Sequence, residues 1–321
     1  MSKFARNMKI DGLLEWDKAN PGNAVRALFD RWCLPGHEPD DQRMLRLCVR
    51  NGYLSFYARG QSVAKLDCSE SGVSAKIAVA YLKGVEKPPH GTGTLGSQTL
   101  SMEMLANPET AERVDIWTRT ALTYAGAEKS FVDDLMSRHP NTIDLEMALP
   151  SHGSKMDLVI AQEGDGGLEI AFWEVKTAAN GELRCSEGAA KVVSQVRKYQ
   201  HWVNIDGNVE AVQAACRSTA SILLRFYQHF IPAPEARPEC VAIWERITDA
   251  DPGILASPGV VIGDYFPQGA ADMTKRRKIE NAHKSFGPHR KKLEDLGITV
   301  HQVSSPNEAI LPRLRAAEVT T

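Results

Sequence analysis

The chain has 321 residues, 43% of them hydrophobic and 24% charged, and its formal net charge of -2 excludes a uniformly basic nucleic-acid coat protein. No apolar run approaches the ~20 residues of a transmembrane helix, the N-terminus lacks a signal-peptide core, and the six cysteines lack the spacing of a zinc site or disulfide framework. These features predict a cytoplasmic globular protein of one large or two ordinary domains, without membrane association.

The N-terminal part has the patterns of a small antiparallel sheet with helices. Apolar residues recur at helical spacing over 22–34, and residues 41–50 form either a short helix or a strand. A hairpin is predicted over 53–66, with its turn at Arg59-Gly60-Gln61. Residues 73–81 predict a third strand of the same sheet.

A segment rich in glycine and proline at 84–98 is the predicted linker between two domains. It lacks the Gly-Lys-Ser/Thr of a phosphate-binding loop. Residues 1–98 are therefore predicted to form a small α+β domain of unknown role, and residues 99–321 a second domain. The second domain begins with a helical pattern over 108–137, followed by a strand at 143–149.

Two strongly apolar strands follow, joined by a turn that is rich in glycine at 164–167. Asp157 lies near the start of the first strand, and Glu174 and Lys176 lie at the end of the second. Side chains alternate along a strand, so Glu174 and Lys176 share one face. If the turn forms a hairpin, Asp157 lies beside Glu174 on that face.

Two carboxylates beside an ammonium suit the hydrolysis of a phosphodiester. Carboxylate oxygens are ligands for Mg²⁺ or Mn²⁺, and such an ion polarises a phosphoryl oxygen and lowers the pKa of a bound water. A lysine can orient that water or stabilise the developing charge. The alternative is that Glu174 and Lys176 are solvated charges at a strand end. The apolar strands argue against it, because charges inside a covered sheet are costly unless paired or metal-bound.

The next predicted helix lies at 189–203. Apolar residues recur there at helical spacing, and Gln195 and Tyr199, four residues apart, share a face that can be aimed at the predicted site. Packing of Tyr199 in the core of the protein is the alternative interpretation. A long helix is then predicted over 212–230.

Strands are predicted at 259–265 and 298–303, with a basic helical segment between them, as in an α/β crossover. Eight lysines and arginines fall within residues 275–292. Such a cluster neutralises phosphates and gives salt-dependent DNA affinity; the alternative is a solvated helix face. The predicted DNA-binding residues of this segment are Lys275, Arg276, Arg277, Lys291 and Lys292.

Asp157, Glu174-Val175-Lys176 and Gln195-x-x-x-Tyr199, in this order, resemble the motifs of the PD-(D/E)xK nuclease superfamily, in particular its RecB-like branch. The resemblance covers about residues 115–205 and departs from the superfamily name at Met156, where that name has proline. It implies an α/β fold with a restriction-endonuclease-like mixed central sheet flanked by helices.

The resemblance also implies a role for each matching residue. Glu128 corresponds to the acidic helix residue of the branch, with Asp133, Asp134 and Glu146 as competing candidates. Asp157, Glu174 and Glu128 would be the catalytic acids and the ligands of Mg²⁺ or Mn²⁺, and Lys176 the catalytic lysine. Gln195 and Tyr199 would contact the end or backbone of DNA, or brace the site.

These observations predict a metal-dependent deoxyribonuclease, with endonuclease and exonuclease action both open and RNA not excluded as a substrate. A role in anti-phage defence or DNA repair is an interpretation that rests only on the pairing of a nuclease core with an additional domain. The alternative is a nuclease-like DNA-binding or assembly subunit of a larger complex, with little cleavage of its own. A homo-oligomer, or a partner ATPase or helicase, is compatible with either function.

Overall fold

The computed structural model describes residues 4–69, 72–85, 96–150, 155–232, 236–263 and 273–315, without the side chains of 273–276, 278 and 279. In the described parts of the chain, no helix is both long and apolar enough to cross a membrane. The molecule contains two β-sheets with helices packed against them, which confirms the α/β class.

The N-terminal sheet is an antiparallel meander whose five strands are neighbours in chain order. It is preceded by helices α1 (Asp11–Ala19) and α2 (Ala24–Asp30). The strands are β1 (Arg46–Val49), β2 (Tyr53–Ala58), β3 (Gln61–Ser69), β4 (Gly72–Ala78) and β5 (Ser97–Leu100). The predicted hairpin is confirmed, whereas the predicted third strand ends early, at Ala78, because residues 79–82 turn into the short helix α3 (Val79–Leu82).

Helices α4 (Met102–Ala106), α5 (Pro108–Glu112) and α6 (Val114–Leu122) pack against the N-terminal sheet or its helices. Helix α7 (Ala127–Arg138) then leads into the second sheet. Most of the predicted linker, residues 86–95, lies outside the described residues. The predicted boundary between 98 and 99 falls within β5, which pairs with β4.

The second sheet is mixed, with the strand order β11-β10-β8-β7-β6 and a short strand, β9, also paired with β8. Its strands are β6 (Thr142–Ala148), β7 (Lys155–Gly164), β8 (Gly167–Thr177), β9 (Gly253–Ile254), β10 (Gly259–Gly263) and β11 (Val300–Val303). Neighbours β6, β7 and β8 are antiparallel, whereas β8, β10 and β11 are parallel.

Among the described residues, five α-helices follow β8: α8 (Lys191–Val203), α9 (Asn208–Phe230), α10 (Glu239–Asp249), α11 (Met273–Lys284) and α12 (Gly287–Asp295). The predicted helices at 189–203 and 212–230 correspond to α8 and α9. The basic segment forms α11 and α12, which connect the parallel strands β10 and β11, so the predicted crossover is confirmed. Parallel neighbours need such a connection, because a tight turn cannot join them.

The hairpin of β7 and β8 forms around the turn rich in glycine that the sequence indicates. Gly164 pairs with Gly167 across a short turn, and Gly167 has a φ of +122°, a conformation that favours glycine. Beyond the turn, the side chains of alternate residues of β8 pack into different hydrophobic clusters, one on each face of the sheet. Trp173 and Val175 pack in one cluster with α7, whereas Phe172 packs in another with α8. Glu174 and Lys176 therefore share the α8 face of the sheet.

The two sheets share one hydrophobic core. Phe56 of the first sheet, Phe172 of the second and Phe226 of α9 belong to the same buried cluster. Buried ion pairs also join the halves: Arg46 of β1 donates to Asp133 of α7 at 2.7 Å. The division of the chain into two domains stays a prediction, since side chains from both halves are packed together.

Candidate active site

The hairpin brings Asp157 beside the strand end that holds Glu174 and Lys176. Leu158 is paired with Trp173, which places Asp157 next to Glu174 in register. One carboxylate oxygen of Asp157, Oδ2, accepts a hydrogen bond of 2.9 Å from the backbone N–H of Val175. This bond fixes the Asp157 side chain against the neighbouring strand. The three residues singled out by the sequence therefore lie together.

The ammonium of Lys176 lies among four carboxylates. Its Nζ is 2.6 Å from Glu174 Oε1 and 3.8 Å from Asp157 Oδ2. It is also 3.7 Å from Glu182 Oε2 and 4.0 Å from Glu128 Oε1. The surroundings are largely dry, since the side chains of Glu174 and Lys176 are only 2% and 5% exposed. A cluster of this kind is held together by electrostatic attraction at low local dielectric.

Burial and mutual repulsion shift the protonation of the two strand acids. Burial, followed by the nearby charge of Asp157, raises the pKa of Glu174 to about 8. Burial also raises the pKa of Asp157, although Lys176 and the Val175 N–H act in the opposite direction. Two carboxylates that share one site cannot both ionise freely. Lys176 therefore offsets the negative charge of the pair only in part, and the carboxyl of Glu174 holds a proton more readily than an exposed glutamate does.

Lys176 is strongly held in its charged form. Burial alone would lower the pKa of this ammonium, but the carboxylates of Glu174, Asp157 and Glu128 outweigh that effect and raise the pKa above its usual value. A lysine with a raised pKa donates hydrogen bonds and offers positive charge, but it does not accept a proton. Its arrangement suits charge stabilisation rather than general-base catalysis.

Glu128 is the helix acid that reaches the cluster. It lies in the first turn of α7, and its Oε2 accepts a hydrogen bond of 2.6 Å from the side-chain amide of Asn180. Two competing candidates have other partners: Asp133 is paired with buried Arg46, and Glu146 is paired with Lys129. The third, Asp134, lines a different pocket, with Arg59 and Arg138 among others.

Glu182 and Lys191 belong to the cluster but were not predicted from the sequence. Glu182 lies in a 3-10 turn whose first backbone groups are capped by the side chain of Asn180. Its carboxylate contacts Lys176 and forms an ion pair with Lys191, and the hydrogen bond from Lys191 is the main reason that its pKa is lowered. The sequence signal that could have identified Glu182 is Asn180-Gly181-Glu182, a capped turn directly after the strand of Lys176.

The acids of the cluster fit a divalent cation chemically but do not form a ready-made cage. Among the described residues, no three His, Cys, Asp or Glu side chains are positioned to hold a metal ion together. The ammonium of Lys176 lies within 4.0 Å of an oxygen of each of the four acids, in the position that a shared cation would take. One oxygen of Glu174, Oε2, is nevertheless buried without a hydrogen-bond partner in the described part of the chain. An unsatisfied buried oxygen of this kind suits a cation or a bound water.

Gln195 and Tyr199 lie on α8, beside β8. Tyr199 is fully buried and its ring contacts Phe172, with 4.6 Å between the ring centroids. Its position matches core packing or bracing of the site rather than direct contact with DNA, because no solvent reaches the side chain. Gln195 is partly exposed, but its Oε1 is buried and has no hydrogen-bond partner among the described residues.

The basic segment lies on the same side of the sheet as α8. Phe286 and Leu293, at the start and end of α12, pack in one cluster with Val193 and Val196 of α8. Arg277, Lys291 and Lys292 are exposed, and Lys292 Nζ donates to the carbonyl of Cys185 at 3.3 Å. For Lys275 and Arg276, the structure describes only the helical backbone.

Comparisons with protein families, curated proteins and solved structures found nothing that matches this chain. Two features of the site bear on its function. One is the excess of carboxylates around Lys176, and the other is the exposed basic surface of the helices that pack beside it.

Proposed function

We propose that this protein is a divalent-metal-dependent nuclease that hydrolyses DNA phosphodiester bonds on a PD-(D/E)xK-like, restriction-endonuclease-like core. The central support is that Asp157, Glu174 and Lys176 meet at the ends of two neighbouring strands, with Lys176 Nζ 2.6 Å from Glu174 and 3.8 Å from Asp157. This is the combination of two acids and a lysine that the resemblance of the sequence motifs to the RecB-like branch implies.

The residues that would hold Mg²⁺ or Mn²⁺ are Asp157 and Glu174, with Glu128 as the third acid. Their oxygens are hard ligands, and the buried Oε2 of Glu174 is free of other partners in the described part of the chain. When bound, the ion supplies Lewis acidity towards a phosphoryl oxygen and a bound water. The raised pKa of Glu174, about 8, means that binding must compete with a proton at this carboxylate.

Lys176 would act on the phosphate itself. Its ammonium is charged, nearly buried and held by several carboxylates, so it is oriented before substrate arrives. A fixed positive charge in a dry site stabilises negative charge that develops on the phosphoryl oxygens. Asn180 keeps Glu128 pointed at the same place through its 2.6 Å hydrogen bond.

The proposal is tested by incubating the purified chain with linear, circular and single-stranded DNA in Mg²⁺, Mn²⁺ or EDTA. Asp157→Ala, Glu174→Ala and Lys176→Ala are assayed in parallel. Loss of a residue that only orients a metal ligand costs about 10–100-fold in activity, so loss of a ligand should cost at least ~100-fold. Cleavage that persists in EDTA, or in all three variants, would show that this cluster is not the active site.

A second candidate function is that of a nuclease-like DNA-binding or assembly subunit, for instance of a defence or repair complex. It is favoured by one observation: the described residues hold no complete three-ligand site, and Lys176 already neutralises part of the acidic cluster. This function predicts DNA binding with equal affinity in EDTA and Mg²⁺, and no cleavage under any metal condition.

A further inference from the structure

The outer face of α8 forms a basic groove next to the candidate site. The groove has a volume of about 420 Å³, and its exposed polar lining consists of Lys191, Ser194, Arg197, Lys198 and His201. Its floor is formed by Val193 and Ala190, which are buried. The polar residues recur every three or four positions, so they form one stripe along the helix.

Two of the three cations of this stripe, Arg197 and Lys198, have no ion-pair partner among the described residues, whereas Lys191 is paired with Glu182. Within the described part of the chain, no carboxylate lines the groove. A solvated helix face would ordinarily place acidic residues among the basic ones, so the composition of the groove favours a polyanionic ligand.

The groove is connected to the acidic cluster by one residue. Lys191 lies at its start and forms an ion pair with Glu182, whose other oxygen is 3.7 Å from Lys176 Nζ. Only the carboxylate of Glu182 would therefore separate a phosphate bound to Lys191 from Lys176, the candidate catalytic lysine. The spacing suits a nucleic-acid backbone, because successive phosphates present a regular row of negative charge.

We infer that the α8 groove is the binding track for the phosphodiester backbone of a DNA strand that leads to the candidate site. The inference rests on the proposed function and extends it to residues outside the cluster. Arg197 and Lys198 would contact phosphates directly, and Ser194 would donate a hydrogen bond to a phosphate oxygen. Because these contacts involve backbone phosphates, they predict affinity without sequence preference.

The test measures fluorescence anisotropy of a labelled single-stranded 20-mer DNA with the full-length chain in EDTA, where cleavage does not occur. The variant is Arg197→Ala with Lys198→Ala. The control is Lys65→Ala with Lys76→Ala, an exposed cross-strand pair of the N-terminal sheet that removes the same charge. Thermal melting verifies that both variants are folded.

We expect the groove variant to bind roughly 10-fold more weakly and to lower the slope of log K against log salt by about 1.4, or 0.7 per lost phosphate contact. The control should keep the wild-type slope. Equal slopes in groove variant and wild type would overturn the inference, as would equally tight binding of a labelled polyglutamate, which would identify an acidic-protein surface.

The outcome is separable from that of the proposed function. If the groove variant binds DNA more weakly but wild type never cleaves DNA, the binding track is supported and the proposed nuclease activity is wrong. If wild type cleaves DNA in Mg²⁺ while the groove variant binds DNA as tightly as wild type, the proposed nuclease activity is supported and the binding track is wrong.

Discussion

At the scale of single residues, the site is organised by a conflict between burial and charge. Glu174 is almost completely buried in an apolar sheet, which is costly for a carboxylate, and among the described residues only Lys176 pairs with it closely. Such an arrangement is unfavourable for stability, and strongly perturbed carboxyl groups of this kind are concentrated at functional sites. Sequence patterns located Asp157, Glu174 and Lys176, because strand alternation is a local property. They did not locate Glu182, whose contact with Lys176 depends on how the turn after β8 folds back.

The raised pKa of Glu174 predicts how the stability of the metal-free protein depends on pH. The native carboxyl has a pKa of about 8, against 4.5 for the ordinary side chain. Between these values the native state binds more protons than the unfolded state, so this group's contribution to stability is complete below pH 4.5 and is lost as the pH rises through 8. Glu174→Gln removes the titration. In EDTA, urea unfolding should therefore show that the unfolding free energy of wild type falls between pH 5 and pH 8.5 relative to that of Glu174→Gln.

The control for that experiment is Glu163→Gln on the same hairpin, whose side chain is 66% exposed. The difference in unfolding free energy between this control and wild type should stay nearly constant with pH over the same range. If the difference between Glu174→Gln and wild type is also constant, then the carboxyl of Glu174 titrates normally and the description of the site as buried and acidic is wrong.

At the scale of elements, the hairpin, α8 and the crossover between β10 and β11 were predictable because each has a local signature. The hairpin has a Gly-rich turn between apolar strands, α8 has apolar residues at helical spacing, and the crossover has a helical segment between two strands. Strand ends were less predictable. Residues 79–82 have the composition of a strand but form α3, because contacts with α6 decide the conformation there.

Helix α12 should contribute to DNA affinity through its exposed lysines. Lys291→Ala with Lys292→Ala removes two positive charges beside the turn that holds Glu182, since Lys292 contacts the carbonyl of Cys185. We expect weaker binding of duplex DNA and a slope of log K against log salt that is smaller by about 0.9 for each lost phosphate contact. The salt dependence of anisotropy measures this, and an unchanged slope would assign these lysines to a solvated helix face.

At the scale of the whole molecule, the N-terminal sheet packs into the same hydrophobic core as the second sheet. Arg46 of β1 donates to Asp133 and Ser137 of α7, both at 2.7 Å, and it is almost fully buried. Gly60, in the turn between β2 and β3, lies so close to α7 that an added Cβ would be 2.6 Å from the Cβ of Lys129, the residue after Glu128. The sequence could not reveal these contacts, because they join residues that are far apart in the chain. They place the N-terminal sheet where it supports the helix of a candidate catalytic acid.

This packing predicts that the chain unfolds as one unit. Arg46→Ala leaves Asp133 buried without its charge partner, which typically costs about 3–5 kcal/mol. Arg119→Ala, the matched control, breaks an exposed pair on one helix that is worth about 0.3–0.5 kcal/mol. Urea unfolding followed by fluorescence and by circular dichroism should give coincident single transitions, with a large shift only for Arg46→Ala. Two separate transitions would instead support independent domains.

The most direct test of the central claim compares two aspartates of the same hairpin. Asp157 lies at the candidate site, whereas Asp165 lies at the turn and is 98% exposed. Each is changed to asparagine, and the single-turnover rate of DNA cleavage is measured in Mg²⁺. We predict that Asp157→Asn lowers the rate at least ~100-fold, since it removes a proposed metal ligand, while Asp165→Asn keeps the wild-type rate. Equal rates for the two variants, or the absence of cleavage by wild type with every metal ion and DNA form, would contradict the claim that this cluster hydrolyses phosphodiester bonds.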